Sequence, residues 1–117
     1  MSKDVLKNTD TEVVVRITSE STANVAFADS TKDTVTPTEY HIKEVHYSNE
    51  GTTNIVQLFR GNTLLYNLAG TGSFKYDSWV DSANSTSPIR ITPTNGSHKY
   101  TTVLYLRKTA AYDSSEY

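Results

Sequence analysis

The chain has 117 residues, 11 basic and 13 acidic side chains, a formal charge of −2 and no cysteine. That length suits one domain able to bury a core, and the missing cysteines exclude disulfides, thiolate metal ligands and a thiol nucleophile. Interspersed charges that nearly cancel argue against a nucleic-acid or anionic-membrane surface.

Ser and Thr supply roughly a quarter of the residues. Such a composition favours strands and turns, because β-branched residues suit a pleated sheet and serine competes with helical hydrogen bonding. The start, MSKDVLKNTDTEVVV, lacks the apolar core and cleavage site of a signal peptide. No apolar run approaches the roughly 20 residues of a membrane-spanning helix. The expectation is a soluble protein made without export.

Taken in order, residues 1–11 are polar apart from Met1, Val5 and Leu6, and read as a flexible arm able to dock on a neighbour. Glu12 to Thr18 alternates, with Val13, Val15 and Ile17 on one face. Asn24 to Ala28 forms a second short strand, and Asp29 to Pro37 a turn-rich connection. In Glu39 to Ser48, Tyr40 and Ile42 lie on one face but Val45 and Tyr47 on the other. A β-bulge near Lys43-Glu44 would restore a common face.

Thr53 to Leu68 carries two apolar runs around Gly61-Asn62, the signal of a tight hairpin. Both its faces are apolar, which predicts a central hairpin covered on both sides. Ala69 to Ser73 reads as a loop, and Phe74 to Ser87 as irregular. Pro88 to Thr92 is a strand joined through Asn95-Gly96, a second hairpin signal, to a final strand over His98 to Lys108. There Tyr100, Thr102, Leu104 and Leu106 share a face, and 109–117 reads as a flexible tail. About eight short strands and no helical periodicity predict an all-β antiparallel β-sandwich, jelly-roll-like, over residues 12–108.

Chemistry is sparse. His41, Glu44 and His46 invite a metal reading, but on a regular strand His41 opposes the other two, and a zinc site needs convergent ligands. No Gly-x-Ser-x-Gly elbow or phosphate-binding glycine loop is present, and Asp77 and Asp81 fall in a Ser/Asn-rich loop. No catalytic, cofactor or metal residue is assigned. Phe59, Tyr66 and Tyr105 read as core or near-core rings. Tyr76 and Trp79, in the irregular segment, read as interface candidates, for a protein partner or for sugar stacking in a carbohydrate-binding module.

The strand Glu12 to Thr18, NIVQLFRGNTLLYNLAGTG at 54–72 and TTVLYLRK at 101–108 together resemble small virion structural proteins of tailed bacteriophages, especially phages of marine cyanobacteria. The resemblance implies a non-enzymatic β-sandwich, without cofactor, that decorates the outside of the phage capsid as a cement protein. A tail, neck or fibre subunit is the alternative within the same class. The implied partners are the major capsid protein and copies of the chain itself; a host-surface glycan is the partner expected of the carbohydrate-binding alternative, and the charge balance implies no nucleic acid and no membrane. The implied location is the virion, after synthesis in the host cytoplasm. The candidate partner contacts are Val5, Leu6, Lys7, Tyr76 and Trp79.

Overall fold

A computed structural model describes residues 2–51, 54–75, 86–94 and 98–109. Among them the strands are β1 (Ser2–Asn8), β2 (Glu12–Ser19), β3 (Ala23–Val25), β4 (Glu39–Asn49), β5 (Ile55–Arg60), β6 (Thr63–Ala69), β7 (Thr71–Lys75), β8 (Ile89–Pro93) and β9 (Tyr100–Thr109). A 3₁₀ turn, Phe27–Ser30, follows β3. The strands form two antiparallel sheets, one ordered β1-β2-β9-β4-β7 and the other β3-β8-β5-β6. The fold is an all-β sandwich, as its alternating sequence requires.

The core lies between the sheets. Val13, Val15 and Ile17 from β2 meet Tyr40, Ile42 and Val45 from β4, and Tyr100, Leu104 and Leu106 from β9. The second sheet contributes Val25, Val56, Leu58, Leu68, Ile89 and Ile91. Full burial of each such aliphatic side chain stabilises by about 1.5–3 kcal/mol, which offsets the entropy of ordering the strands. The β4 alternation is repaired by a bulge between Ile42 and Glu44. It keeps Val45 in the core with Tyr40 and Ile42, as the pattern predicts.

Several expected features differ. The Gly61-Asn62 hairpin forms with Gly61 at φ 59°, but it belongs to the four-stranded sheet with β6 at the edge. The centre of the larger sheet is β9, between β2 and β4. On the hairpin's outer face Leu64 is exposed, and the Arg90 guanidinium lies 4.3 Å from the ring centre of half-buried Phe59. Nor do β8 and β9 pair as a hairpin. Thr94 donates to the Ile55 carbonyl from its N–H (3.0 Å) and its hydroxyl (3.1 Å), so the chain leaving β8 stays with β5 before it changes sheets. Asn95 and Gly96 lie outside the described residues.

Residues 2–8 are not a free arm. They pair with β2 along their length, and a bulge between Val5 and Lys7 turns Asn8 inward. Asn8 then accepts from the Lys108 ammonium and donates to the Thr31 carbonyl. Lys3, also inward, spans to the other side of the sandwich, 2.8 Å from Asp29 and 3.0 Å from the Asn24 carbonyl. Bulges and inward charges at an edge strand are the devices that discourage indiscriminate strand pairing. Thr109, expected in the tail, is the last residue of β9.

The connection after the 3₁₀ turn closes at Lys32–Val35 through reciprocal backbone bonds of 3.0 and 2.9 Å. Its central residues, Asp33 and Thr34, both have positive φ, 53° and 66°. A β-branched residue is strained there. Thr34→Gly is expected to stabilise by about 0.5–1 kcal/mol, the relief of that strain less the entropy of a freer unfolded chain. The check is the melting temperature, and a decrease would show that the Thr34 backbone carries no such strain.

Tyr40 is fully buried. Its hydroxyl donates to the Ala26 carbonyl (3.0 Å) and lies 2.6 Å from Ser30 Oγ. Burial, the largest cause, pushes its pKa up from 10.0 to about 12. The folded state therefore holds this proton where the unfolded chain has lost it, so the stability it supplies is complete below pH 10 and disappears as pH rises through 12. The expected loss is on the order of 3 kcal/mol between those limits. Tyr100, also raised by burial, acts in the same direction. Urea titrations at pH 9 and pH 12 should show the loss, and Tyr40→Phe should reduce it. An equal loss in that variant would exclude Tyr40 as its source.

Candidate functional site

Two surfaces carry the side chains singled out from the sequence. The first is the β1 edge. Val5 opposes Val15 and Lys7 opposes Val14, so Leu6 is the extra residue of the bulge. The bulge separates the residues by face: Val5 is on the core-facing side and Lys7 on the outer side, 3.5 Å from Glu12. At the sheet margin there is little to cover the apolar pair, and Val5 and Leu6 remain 43% and 51% exposed. Val5, Leu6 and Lys7 are thus brought together. Tyr76 and Trp79, with Asp77 and Asp81, lie outside the described residues.

The second surface is the outer face of the five-stranded sheet. The β4 bulge brings His41 to the same face as Glu44 and His46, which a regular strand would not do. His46 Nε2 is 2.5 Å from Glu44 Oε2, and Lys75 lies 4.0 Å from the other oxygen of that carboxylate. His41 lies 3.5 Å from Glu39. The two histidines therefore engage different carboxylates. Among the described residues, no group of three His, Cys, Asp or Glu side chains gathers to hold a metal ion.

One of the ring assignments needs correction. Tyr105 is on this outer face at 37% exposure, packed edge-on to His46 with centroids 5.4 Å apart. Tyr66, though 39% exposed, stays beside the core: it opposes buried Leu58, and its ring lies 4.6 Å from that of Phe74, which packs against the core. The buried tyrosines are instead Tyr40 and Tyr100. In this fold the outward row of β9 contains Tyr105 because parity, not aromatic character, decides which face a side chain takes.

Sequence reasoning also missed a set of buried polar side chains. Arg60, Lys108, His98 and Asn49 are all buried. Asn49 Nδ2 donates to the carbonyls of Leu68 (2.9 Å) and Gly70 (2.8 Å), which leaves its oxygen facing His98 Nε2 at 3.1 Å. That orientation requires the proton on His98 Nε2. These groups join strand ends to loops and satisfy carbonyls that would otherwise be buried unpaired. The available signal was parity: Arg60 follows Val56 and Leu58, and Lys108 follows Leu104 and Leu106, on core-facing positions.

Among the described residues, no helix is long and apolar enough to cross a membrane. No protein-family model, curated protein or solved structure matches the chain.

Proposed function

We propose that this chain is a non-enzymatic structural protein of a phage particle, a decoration subunit that seats on the outer surface of the assembled head. The observation that supports it is the exposed apolar pair Val5 and Leu6 on an otherwise protected sheet edge. The sequence resemblance supplies the partner, the major capsid protein. Burying the exposed half of each side chain is worth about 1 kcal/mol, so the pair contributes about 2 kcal/mol per subunit. Repeated across a lattice, a modest contact that exists only in the assembled shell stabilises that shell by mass action.

Docking by β1 differs from capture by an extended arm, because the strand is already ordered by β2. No folding cost then accompanies binding, and the edge presents a fixed shape. Val5→Asp combined with Leu6→Asp should leave the melting temperature within a few degrees of the parent, since both side chains are half in water. Binding to heads lacking the protein, measured by co-sedimentation, should weaken by more than about tenfold. Unchanged binding would remove this edge from the interface.

A further inference from the structure

The outer face of the five-stranded sheet holds a feature that capsid docking through β1 does not use. Two shallow depressions adjoin there, of about 260 and 310 Å³. The first is bounded by His46, Val103, Thr71 and Gly72, the second by Thr18, Glu50 and Lys99. Ser48 and Thr101, cross-strand partners on β4 and β9, line both and form the ridge between them. We propose that this double depression binds a neutral oligosaccharide, one sugar ring in each half, with the Ser48–Thr101 ridge hydrogen-bonded to the hydroxyls near the linkage.

The size argues for single rings. Each depression is at or below the lower end of pockets that take a whole drug-sized ligand, about 300–1,000 Å³. A ligand of two linked rings can occupy both.

The polar groups argue for hydroxyl chemistry. Ser2, Thr18, Thr101, Ser48 and Thr71 are successive cross-strand partners, so one row of hydroxyls crosses all five strands. Adjacent members are about 4.8 Å apart at the backbone. Within the row, Thr18 and Thr101 oxygens lie 3.5 Å apart and those of Ser48 and Thr71 3.3 Å. Each hydroxyl both donates and accepts, as each sugar hydroxyl does. The row can therefore exchange its long internal contacts for shorter ones to a ligand.

Apolar surface for a sugar face comes from His46 and Val103, neighbours across β4 and β9. The imidazole is held by Glu44 on its nitrogen and by Tyr105 on its ring, so little side-chain entropy is lost when a ring stacks on it.

Charge argues for neutrality. The first depression is lined by no carboxylate or ammonium group. The second has Glu50 and Lys99, of opposite sign, on strand ends joined by a 2.8 Å backbone bond from Glu50 N–H to the Lys99 carbonyl. An acidic or basic ligand meets no net counter-charge.

The test is a titration of the isotopically labelled intact chain, followed by amide resonances, with cellohexaose, maltohexaose and chitohexaose as neutral probes and hexagalacturonate as an acidic one. At least one neutral probe should move the resonances of Ser48, Thr71 and Thr101 together, more than hexagalacturonate does. Ser48→Ala combined with Thr101→Ala should weaken that response about tenfold, the loss of two neutral hydrogen bonds. Because both side chains are on the outer face, the variant's spectrum should otherwise match the parent. No response at the ridge to any neutral probe, a stronger response to the acidic probe, or unchanged affinity in the double variant would each overturn the assignment. The inference does not rest on head binding, which the Val5 and Leu6 variant tests separately.

Discussion

Arg60→Ala should lower the melting temperature by at least about 15 °C, the largest effect of any single substitution considered. Arg60 closes β5 and is fully buried. Its Nη1 donates to the Tyr40 carbonyl at 3.0 Å, across to the other sheet, while Nε and Nη2 donate to the Ser87 carbonyl at 3.1 and 2.9 Å. One side chain therefore fastens β5, β4 and the chain entering β8. Truncation strips two carbonyls of these donors, at about 1–3 kcal/mol each, and leaves a cavity whose lining loses further contacts. The sum, on the order of 4–5 kcal/mol, is a large part of the 5–15 kcal/mol by which domains of this kind are stable. Arg60→Lys keeps the charge but not the planar fork, so it should recover only part of the loss. A melting temperature within about 3 °C of the parent in Arg60→Ala would show that water or a neighbour replaces those donors.

Lys108→Ala should cost about 3 kcal/mol, and its effect should be concentrated at the N-terminal edge. Lys108 is only 3% exposed. Its ammonium donates to Asn8 Oδ1 and, at 2.9 Å, to the Ser30 carbonyl, tying β1 and the 3₁₀ turn to β9. Burial holds the Lys108 amine below its usual pKa of 10.5, and nearby Lys32 adds to the shift. Between that lowered value and 10.5 the unfolded chain binds more protons than the folded one, so Lys108 makes stability rise with pH across this interval. This is opposite in sign to the effect of Tyr40. Lys108→Met, which fills the space without a charge to desolvate, should lose less than Lys108→Ala and should abolish the rise. Amide exchange at β1 should quicken in the alanine variant before it does elsewhere. Uniform acceleration over both sheets would mean that Lys108 supports the core rather than the edge.

Much of the sandwich was legible because its central strands obey a period of two. Val13, Val15 and Ile17, or Leu104 and Leu106, can face only one way if they are to leave water. Even the β4 bulge was readable, as a conflict between Ile42 and Val45 that one extra residue resolves. What escaped detection was structure made by pairing rather than by burial. The β1 sequence is polar, yet it is ordered by a neighbouring strand and by Lys3 and Asn8. In β7, Gly72 suggested a loop, but Tyr47 lies over it: a Cβ there would be 2.7 Å from the Tyr47 hydroxyl. An aromatic ring over a strand glycine supplies the packing that the missing side chain cannot. The exposed pair Val5 and Leu6 was visible as the apolar exception in a polar stretch. The double depression was not, since it arises where β2, β9, β4 and β7 align, and no local pattern encodes that alignment.

Location on the particle tests the central proposal most directly. Under that proposal, particles of the encoding phage would be disassembled into heads and tails, with copies of the chain counted in each fraction, and the purified protein returned to stripped heads, isolated tails and free coat subunits. The decoration reading predicts that the copies fractionate with heads, and that added protein rebinds stripped heads at least about a hundredfold more tightly than free coat subunits, a difference of about 2.7 kcal/mol per site. Copies that fractionate with tails, or equal binding to free coat subunits and assembled heads, would contradict it.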